Sequence, residues 1–200
     1  MKVTVMSTHG FGPALLGARL SHQSRSDSVL DSLGPRDKKL MLTLAARGPS
    51  HRKFLRAIQV WLDIKAPIGW WVQFDTYKVA TTRLSESTMH SLDRWLKDGS
   101  ESYTSRVSNK LKQVLREVHI STNQVECHDI DILRDNLPMG LELRSIVNLN
   151  YETLLNIYFQ RKTHKSKYWH EFLTPIMRDV PYFSELAIAI ERKKNGVKDE

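Results

Sequence analysis

Hydrophobic and polar residues alternate most strictly over residues 56–65. Ile58, Val60, Leu62 and Ile64 share one face, and Gln59, Trp61, Asp63 and Lys65 share the other. A period of two over this length predicts a strand with one buried face. Ala66-Pro67 stops it, and the run 68–74, which carries Trp70 and Trp71, predicts a short, mostly buried helix or turn. Residues 75–84 read as irregular and polar. Residues 141–149 alternate well enough to predict a second strand.

Between and after these strands the period lengthens to that of a helix. Gly34-Pro35 precedes a helix over 36–47, with Leu40, Met41, Leu44 and Ala45 on its apolar side and Gly48-Pro49 at its end. Ser85 or Ser87 caps a helix bearing Met89, Leu92, Trp95 and Leu96, closed by Gly99. A longer helix over 105–119 has Val107, Leu111, Val114, Leu115 and Val118 at helical spacing, and a short one over 129–138 ends at Pro138. Asn150 caps a helix over 151–161 with Leu154, Leu155 and Tyr158 as its buried stripe; two more follow over 167–177 and 182–193. Residues 21–32 read as a loop or lid and 195–200 as a frayed tail. The sum predicts an α+β fold, a small, mostly antiparallel sheet flanked by helices, in a single domain over 1–200.

Charge narrows the partners. Thirty Lys and Arg against twenty-two Asp and Glu give a formal net charge of +8, which favours nucleotides, nucleic acid or an acidic surface. The single cysteine, Cys127, excludes an intramolecular disulfide framework and a Cys metal cluster, as suits a reducing cytoplasm. No apolar run approaches the roughly twenty residues of a spanning helix. The expected location is therefore cytoplasmic, with no membrane partner.

Motifs with a fixed spacing are missing: there is no GxGxxG, GxSxG, HExxH or CxxC. His51, His90, His119, His128, His164 and His170 are scattered, and none is assigned to a metal. The run Arg161-Lys162-Thr163-His164-Lys165-Ser166-Lys167 has two readings, a solvated helix end favoured by the dipole or a phosphate clamp. Tryptophans 61, 70, 71, 95 and 169 offer faces for stacking on a flavin or a base, although most belong to a core.

Three stretches carry a resemblance: FLRAIQVWLDIKAPIGWWVQFDTYKVATTRLSES at 54–87, RDNLP at 134–138, and NYETLLNIYFQR at 150–161. Together, with weaker likeness at 18–21 and 48–56, they resemble the flavin-dependent thymidylate synthase family. There a strand ending in KAPI leads to the signature RHRxxSxNExSxR, and a later helix reads NxRSLxNFLxLR. The resemblance implies a flavoprotein that transfers a carbon unit to deoxyuridine monophosphate, with FAD as cofactor. Methylenetetrahydrofolate and NADPH join it if the parent reaction is retained, and the expected assembly is a homotetramer. By position, Arg134, Arg161 and Ser85 match residues that hold the nucleotide, and Asn150 and Asn156 match asparagines that contact the flavin. Arg83 and Ser87 fall within the nucleotide-binding part of the signature, and Asp75, Thr76, Tyr77 and Lys78 in its flavin-binding part.

The signature itself is overwritten. Asp75-Thr76-Tyr77 stand where the family has RHR, Ala80 at the next serine, Thr82-Arg83 at the Asn–Glu pair, Ser87 at the last arginine, and Glu152 where the helix motif has arginine. In this the chain resembles shortened relatives carried by bacterial viruses, in which a DTYK…STMH stretch takes the signature's place. Arg83, Lys78 and His90 offer cationic character from other positions, and no residue is singled out as catalytic. Three functions stay open: a flavin-dependent enzyme of pyrimidine nucleotides, a non-catalytic nucleotide-binding protein on the same fold, and a basic nucleic-acid-binding module.

Overall fold

The computed structural model describes residues 1–20, 33–124 and 130–196. The elements in chain order are β1 (Lys2–His9), α1 (Phe11–Leu20), α2 (Pro35–Ala46), a 3-10 turn (Lys53–Arg56), β2 (Gln59–Pro67), α3 (Ile68–Phe74), β3 (Thr81–Ser85), α4 (Thr88–Asp98), α5 (Asn109–Gln124), α6 (Ile130–Asp135), β4 (Glu142–Asn150), α7 (Tyr151–Arg161), α8 (Lys167–Asp179) and α9 (Phe183–Lys194). The four strands make one antiparallel sheet in the order β1-β2-β4-β3, so the class is α+β as expected. Among the described residues no helix is long and apolar enough to cross a membrane.

The chain divides into two compact units. One comprises Met1–Lys2, Asp63–Thr76 and Arg83–Ile146; the other comprises Val3–Leu62, Tyr77–Thr82 and Val147–Glu200. In the first, β2 runs directly into α3, whose start is tied down by Ile68 N–H on the Leu141 carbonyl and Gly69 N–H on the Met139 carbonyl, each 2.9 Å. α3 buries Trp70, Trp71 and Phe74 as one aromatic group, and the Trp71 indole N–H donates to the Leu143 carbonyl at 3.1 Å. Leu92, Leu96, Leu115 and Leu133 form a second small core between α4, α5 and α6. There burial pushes the Tyr103 phenol up to about 12, with the nearby Glu101 carboxylate adding to the shift.

In the second unit α7 follows β4 without a loop, and Tyr151 at its start is fully buried. Phe11 and Phe183 pack against the Tyr151 ring at 5.3 and 6.1 Å, and its hydroxyl donates to the Pro181 carbonyl at 2.8 Å. Gly10 joins β1 to α1 at φ +97°, and a Cβ there would lie 2.5 Å from the Ala57 carbonyl oxygen, so only glycine fits.

Several boundaries move for local reasons. β2 begins at Gln59, not 56, because Ala57 N–H closes a turn on the Phe54 carbonyl. Residues 81–84, within the stretch 75–84 read as irregular, form β3 together with Ser85; both its faces are largely open, so no alternation marks it. α5 starts at Asn109, where Ser108 Oγ accepts from Leu111 N–H at 3.2 Å. Its buried side carries Leu115 and His119, while Leu111 and Val114, expected inside, are 43 % and 44 % exposed. On α7, Ile157 is buried and Tyr158 only half-buried. β1 and α1 have no counterpart among the predicted elements. The expected loop at 21–32, Cys127, His128 and the last four residues of the tail lie outside the described residues.

The first unit carries a pH-dependent link. Arg144 on β4 grips Asp63 on β2 with two hydrogen bonds, Nε to Oδ1 at 2.9 Å and Nη2 to Oδ2 at 2.7 Å. Those bonds hold the Asp63 carboxyl below its ordinary 3.8, against a smaller opposing effect of burial. A carboxylate depressed in the native state stabilises it above the unfolded value, and that gain is lost as pH falls through the lower native value. Denaturation midpoints measured from about pH 6 to about pH 2.5 should therefore fall further for the wild type than for Asp63→Asn. A constant gap between the two across that range would contradict the assignment.

Candidate functional site

The second unit assembles its polar centre at the end of α7. The helix starts because Asn150, in extended backbone conformation, accepts the Thr153 N–H on its side-chain oxygen at 2.8 Å. Leu154, Leu155 and Ile157 then bury one face and leave Asn156 and Gln160 exposed on the other, while Arg161, a turn beyond Ile157, ends the helix half-buried. Tyr77, 9 % exposed, meets them from a distant part of the chain. Its hydroxyl accepts Arg161 Nε–H at 2.6 Å and donates to Gln160 Oε1 at 3.1 Å, and Gln160 Nε2 donates to Asn156 Oδ1 at 2.9 Å. A continuous chain of donors and acceptors runs from the guanidinium to Asn156.

Two aromatic rings neighbour the same guanidinium. Its central carbon lies 4.8 Å from the Trp169 ring centre and 5.4 Å from that of Tyr77, and the two rings meet edge to face at 6.0 Å. Trp169 is fully buried at the start of α8. Among the described residues no carboxylate pairs with Arg161 and neither Nη group has a hydrogen-bond acceptor. A partly buried cation without a counter-ion is costly, and π-faces offset that only in part. The arrangement can accept an anionic or carbonyl-bearing group on its two Nη nitrogens.

The same unit holds a cavity of about 530 Å³. Ala14 and Ala18 of α1, Leu44 and Phe54 make it apolar, and His51 and Lys53 make it basic. That volume is in the range of small-molecule sites, and the lining suits an aromatic ring system with an anionic arm. Beside it Arg52 Nε pairs with Glu152 at 3.0 Å. The carboxylate that replaces the arginine of the helix motif is thus neutralised by a guanidinium from the 3-10 turn.

The first unit brings together Asp75 and Arg83. Arg83 Nη1 donates to Asp75 Oδ2 at 2.5 Å, its Nε donates to the buried Ser145 hydroxyl at 3.2 Å, and its central carbon lies 4.1 Å from the Trp71 ring centre. Thr76 closes the end of α3, its hydroxyl donating to the Gln73 carbonyl at 2.8 Å. Ser87 caps α4, accepting His90 N–H at 3.3 Å, and Ser85 is exposed at the end of β3. Arg134 pairs with Asp131 at 2.6 Å and donates to Thr88 Oγ1 at 3.4 Å. Lys78 is exposed in the second unit.

Of the residues singled out by sequence, Tyr77, Asn156 and Arg161 converge in one unit, and Asp75 converges with Arg83 in the other. Asn150 acts as a helix cap. Gln160 and Ser145 were not expected at these sites, and Trp71, named among the rings for stacking on a ligand, carries Arg83 on its face. Gln160 was detectable, being one turn after Asn156 and adjacent to Arg161; Ser145, inward on β4, carried no signal.

An antiparallel four-stranded sheet accompanied by helices defines an α+β protein. Its particular fold is that of the flavin-dependent thymidylate synthases. A crystal structure of the Helicobacter pylori flavin-dependent thymidylate synthase ThyX complexed with FAD and dUMP matches 96 % of this chain and 98 % of that one, with a TM-score of 0.75 and 16 % identity. A second structure of the H. pylori enzyme with FAD and dUMP matches 96 % of this chain and all of its own, at 0.76 and 14 %. The UMP/dUMP methylase PolB from Streptomyces cacaoi, bound with 5-Br dUMP, matches 96 % of each chain at 0.67 and 12 %. No family model and no curated protein sequence matches the chain. At these identities the likeness is one of fold.

The cap role of Asn150 separates structure from ligand binding. Asn150→Ala should lower stability by about 1 kcal/mol, and Asn150→Ser, which keeps a capping oxygen, should retain most of it, as read from chemical denaturation. Equal losses in the two variants would exclude the cap as the reason for Asn150.

Proposed function

We propose that this protein binds a pyrimidine deoxynucleotide of the dUMP type and acts on it as a flavin-dependent thymidylate synthase-like enzyme, with Arg161 as the anchor. The carrying observation is the Arg161 guanidinium itself, half-buried beside Tyr77 and Trp169 with its Nη groups unclaimed among the described residues. The reading is supported by a fold shared with proteins solved with dUMP or its 5-bromo analogue. Arg134, Ser85, Arg83 and Ser87 remain further candidates for the nucleotide.

The flavin is proposed on the same footing. The cavity lined by Ala14, Ala18, Phe54, His51 and Lys53 fits the group, its apolar wall for a ring and its two basic side chains for phosphates. A reduced flavin supplies hydride when bound, and the protein's part is to orient the nucleotide and exclude water. Asn156, exposed and joined to Arg161 through Gln160 and Tyr77, is the asparagine left available for such a ligand.

A second reading has its own observation. Asp75 and Arg83, both within the overwritten signature, engage each other, so the positive field of that signature is self-neutralised. This favours binding without the parent chemistry.

Calorimetry and spectroscopy separate these readings. dUMP should bind and raise the melting temperature, and Arg161→Ala should weaken it about 10- to 100-fold, the worth of a charge-assisted hydrogen bond or two. Deoxyuridine, lacking the phosphate, should bind far more weakly than dUMP. Added FAD should give a protein-bound visible spectrum. Binding of dUMP without turnover, when FAD, NADPH and methylenetetrahydrofolate are all supplied, assigns the non-catalytic role. If dUMP neither binds nor shifts melting, the nucleotide reading is wrong.

A further inference from the structure

We infer that Tyr77 is a positioning residue for Arg161: its hydroxyl fixes the guanidinium so that ligand is taken end-on, through Nη1 and Nη2 alone. A guanidinium offers acceptors two kinds of edge, one pairing Nε–H with an Nη–H and one pairing the two Nη groups. Here the Nε–H is taken by Tyr77 Oη at 2.6 Å. The first edge is therefore closed to ligand. The tyrosine oxygen is in turn directed by Gln160 Oε1, which accepts its proton at 3.1 Å, and Gln160 is held by Asn156 Oδ1 at 2.9 Å. Because the hydroxyl proton points to Gln160, a lone pair of the oxygen points to Arg161.

The indole finishes the constraint. Trp169, fully buried, lies 4.8 Å from the guanidinium carbon and limits tilting of the plane on that side, while the Tyr77 oxygen holds the Nε edge. A cation so held loses little further freedom on binding, which favours a ligand with two oxygen acceptors in one plane, such as two oxygens of one phosphate. Tyr77 thereby sets both the direction of approach and the ligand geometry, without touching the ligand.

This inference rests on the nucleotide reading only for what is bound, and its test has two arms. In the ligand-free protein, the Arg161 Nε–H resonance, assigned by its loss in Arg161→Lys, should exchange slowly with water. In Tyr77→Phe, which keeps the ring and removes the hydroxyl, it should exchange as fast as those of exposed arginines. In the second arm, dUMP affinity is measured for wild type, Tyr77→Phe, Arg161→Lys and the double variant. Tyr77→Phe should weaken binding about tenfold in the wild-type background and have no further effect in the Arg161→Lys background, since a lysine side chain has no Nε–H to orient.

An additive loss in the double variant, or wild-type affinity in Tyr77→Phe, would overturn the inference. So would a fast-exchanging Nε–H in the wild type, a measurement that does not require any Tyr77 variant to fold. A slow Nε–H together with no dUMP binding by the wild type supports the positioning role and refutes the nucleotide reading instead.

Discussion

β2 and β4 are paired in a register held at several points, and because each strand passes into a helix without a loop, that register decides where the helices begin. In the second unit Asn148 Nδ2 reaches the Val60 carbonyl at 3.2 Å and Tyr151 N–H reaches the Ile58 carbonyl at 3.0 Å. In the first, the Arg144 fork lies on Asp63 and Ile68 N–H lies on the Leu141 carbonyl. A slip of one residue would turn Val147 and Leu149 out of the core and rotate every side chain of α7 with them. The direction in which Arg161 leaves its helix is thus inherited from strand pairing eleven residues earlier.

The two site arginines are built by the same rule. Each donates its Nε–H to a hydroxyl, Ser145 for Arg83 and Tyr77 for Arg161, and each lays its guanidinium on an indole, Trp71 or Trp169. They differ in the remaining donors. Arg83 meets Asp75, whereas Arg161 meets no carboxylate among the described residues. Judged from the sequence, an aspartate in the signature would repel a phosphate. In the folded chain its charge is balanced by Arg83, so the cost to anion binding is local neutralisation instead of repulsion.

How much of this could be read from the chain differs by element. The alternation of Ile58 to Ile64, the stop at Ala66-Pro67 and the Asn150 cap are local, and each is where it was expected. β3 was hidden because Thr81–Ser85 buries neither face, leaving no period to detect. The burial side of α5 was misjudged because Leu111 and Val114 continue the helical spacing of Leu115 while standing outside the small core that Leu115 enters. Arg161 was legible as a candidate through its place in the NYETLLNIYFQR helix. Its hydrogen bond to Tyr77, across 84 positions, was not, because no local pattern links a tyrosine in a polar stretch to a helix end.

The same contacts bear on the basic run at 161–167. Seen as a string, five of its seven residues are Arg, Lys or His and suggest an electrostatic surface for a polyanion. In three dimensions the run does not act as one. Arg161 is turned into the Tyr77–Trp169 notch, and Lys162 is paired with Glu191 and lies 5.7 Å from the Phe159 ring centre. His164 accepts the Ser166 N–H on its Nδ1 and sits against Trp169. Lys165 and Lys167 are left as exposed cations of the stretch, too few for the row of phosphate contacts that gives nucleic-acid binding its affinity. A single guanidinium whose Nε–H is held by Tyr77 is instead suited to one small anion.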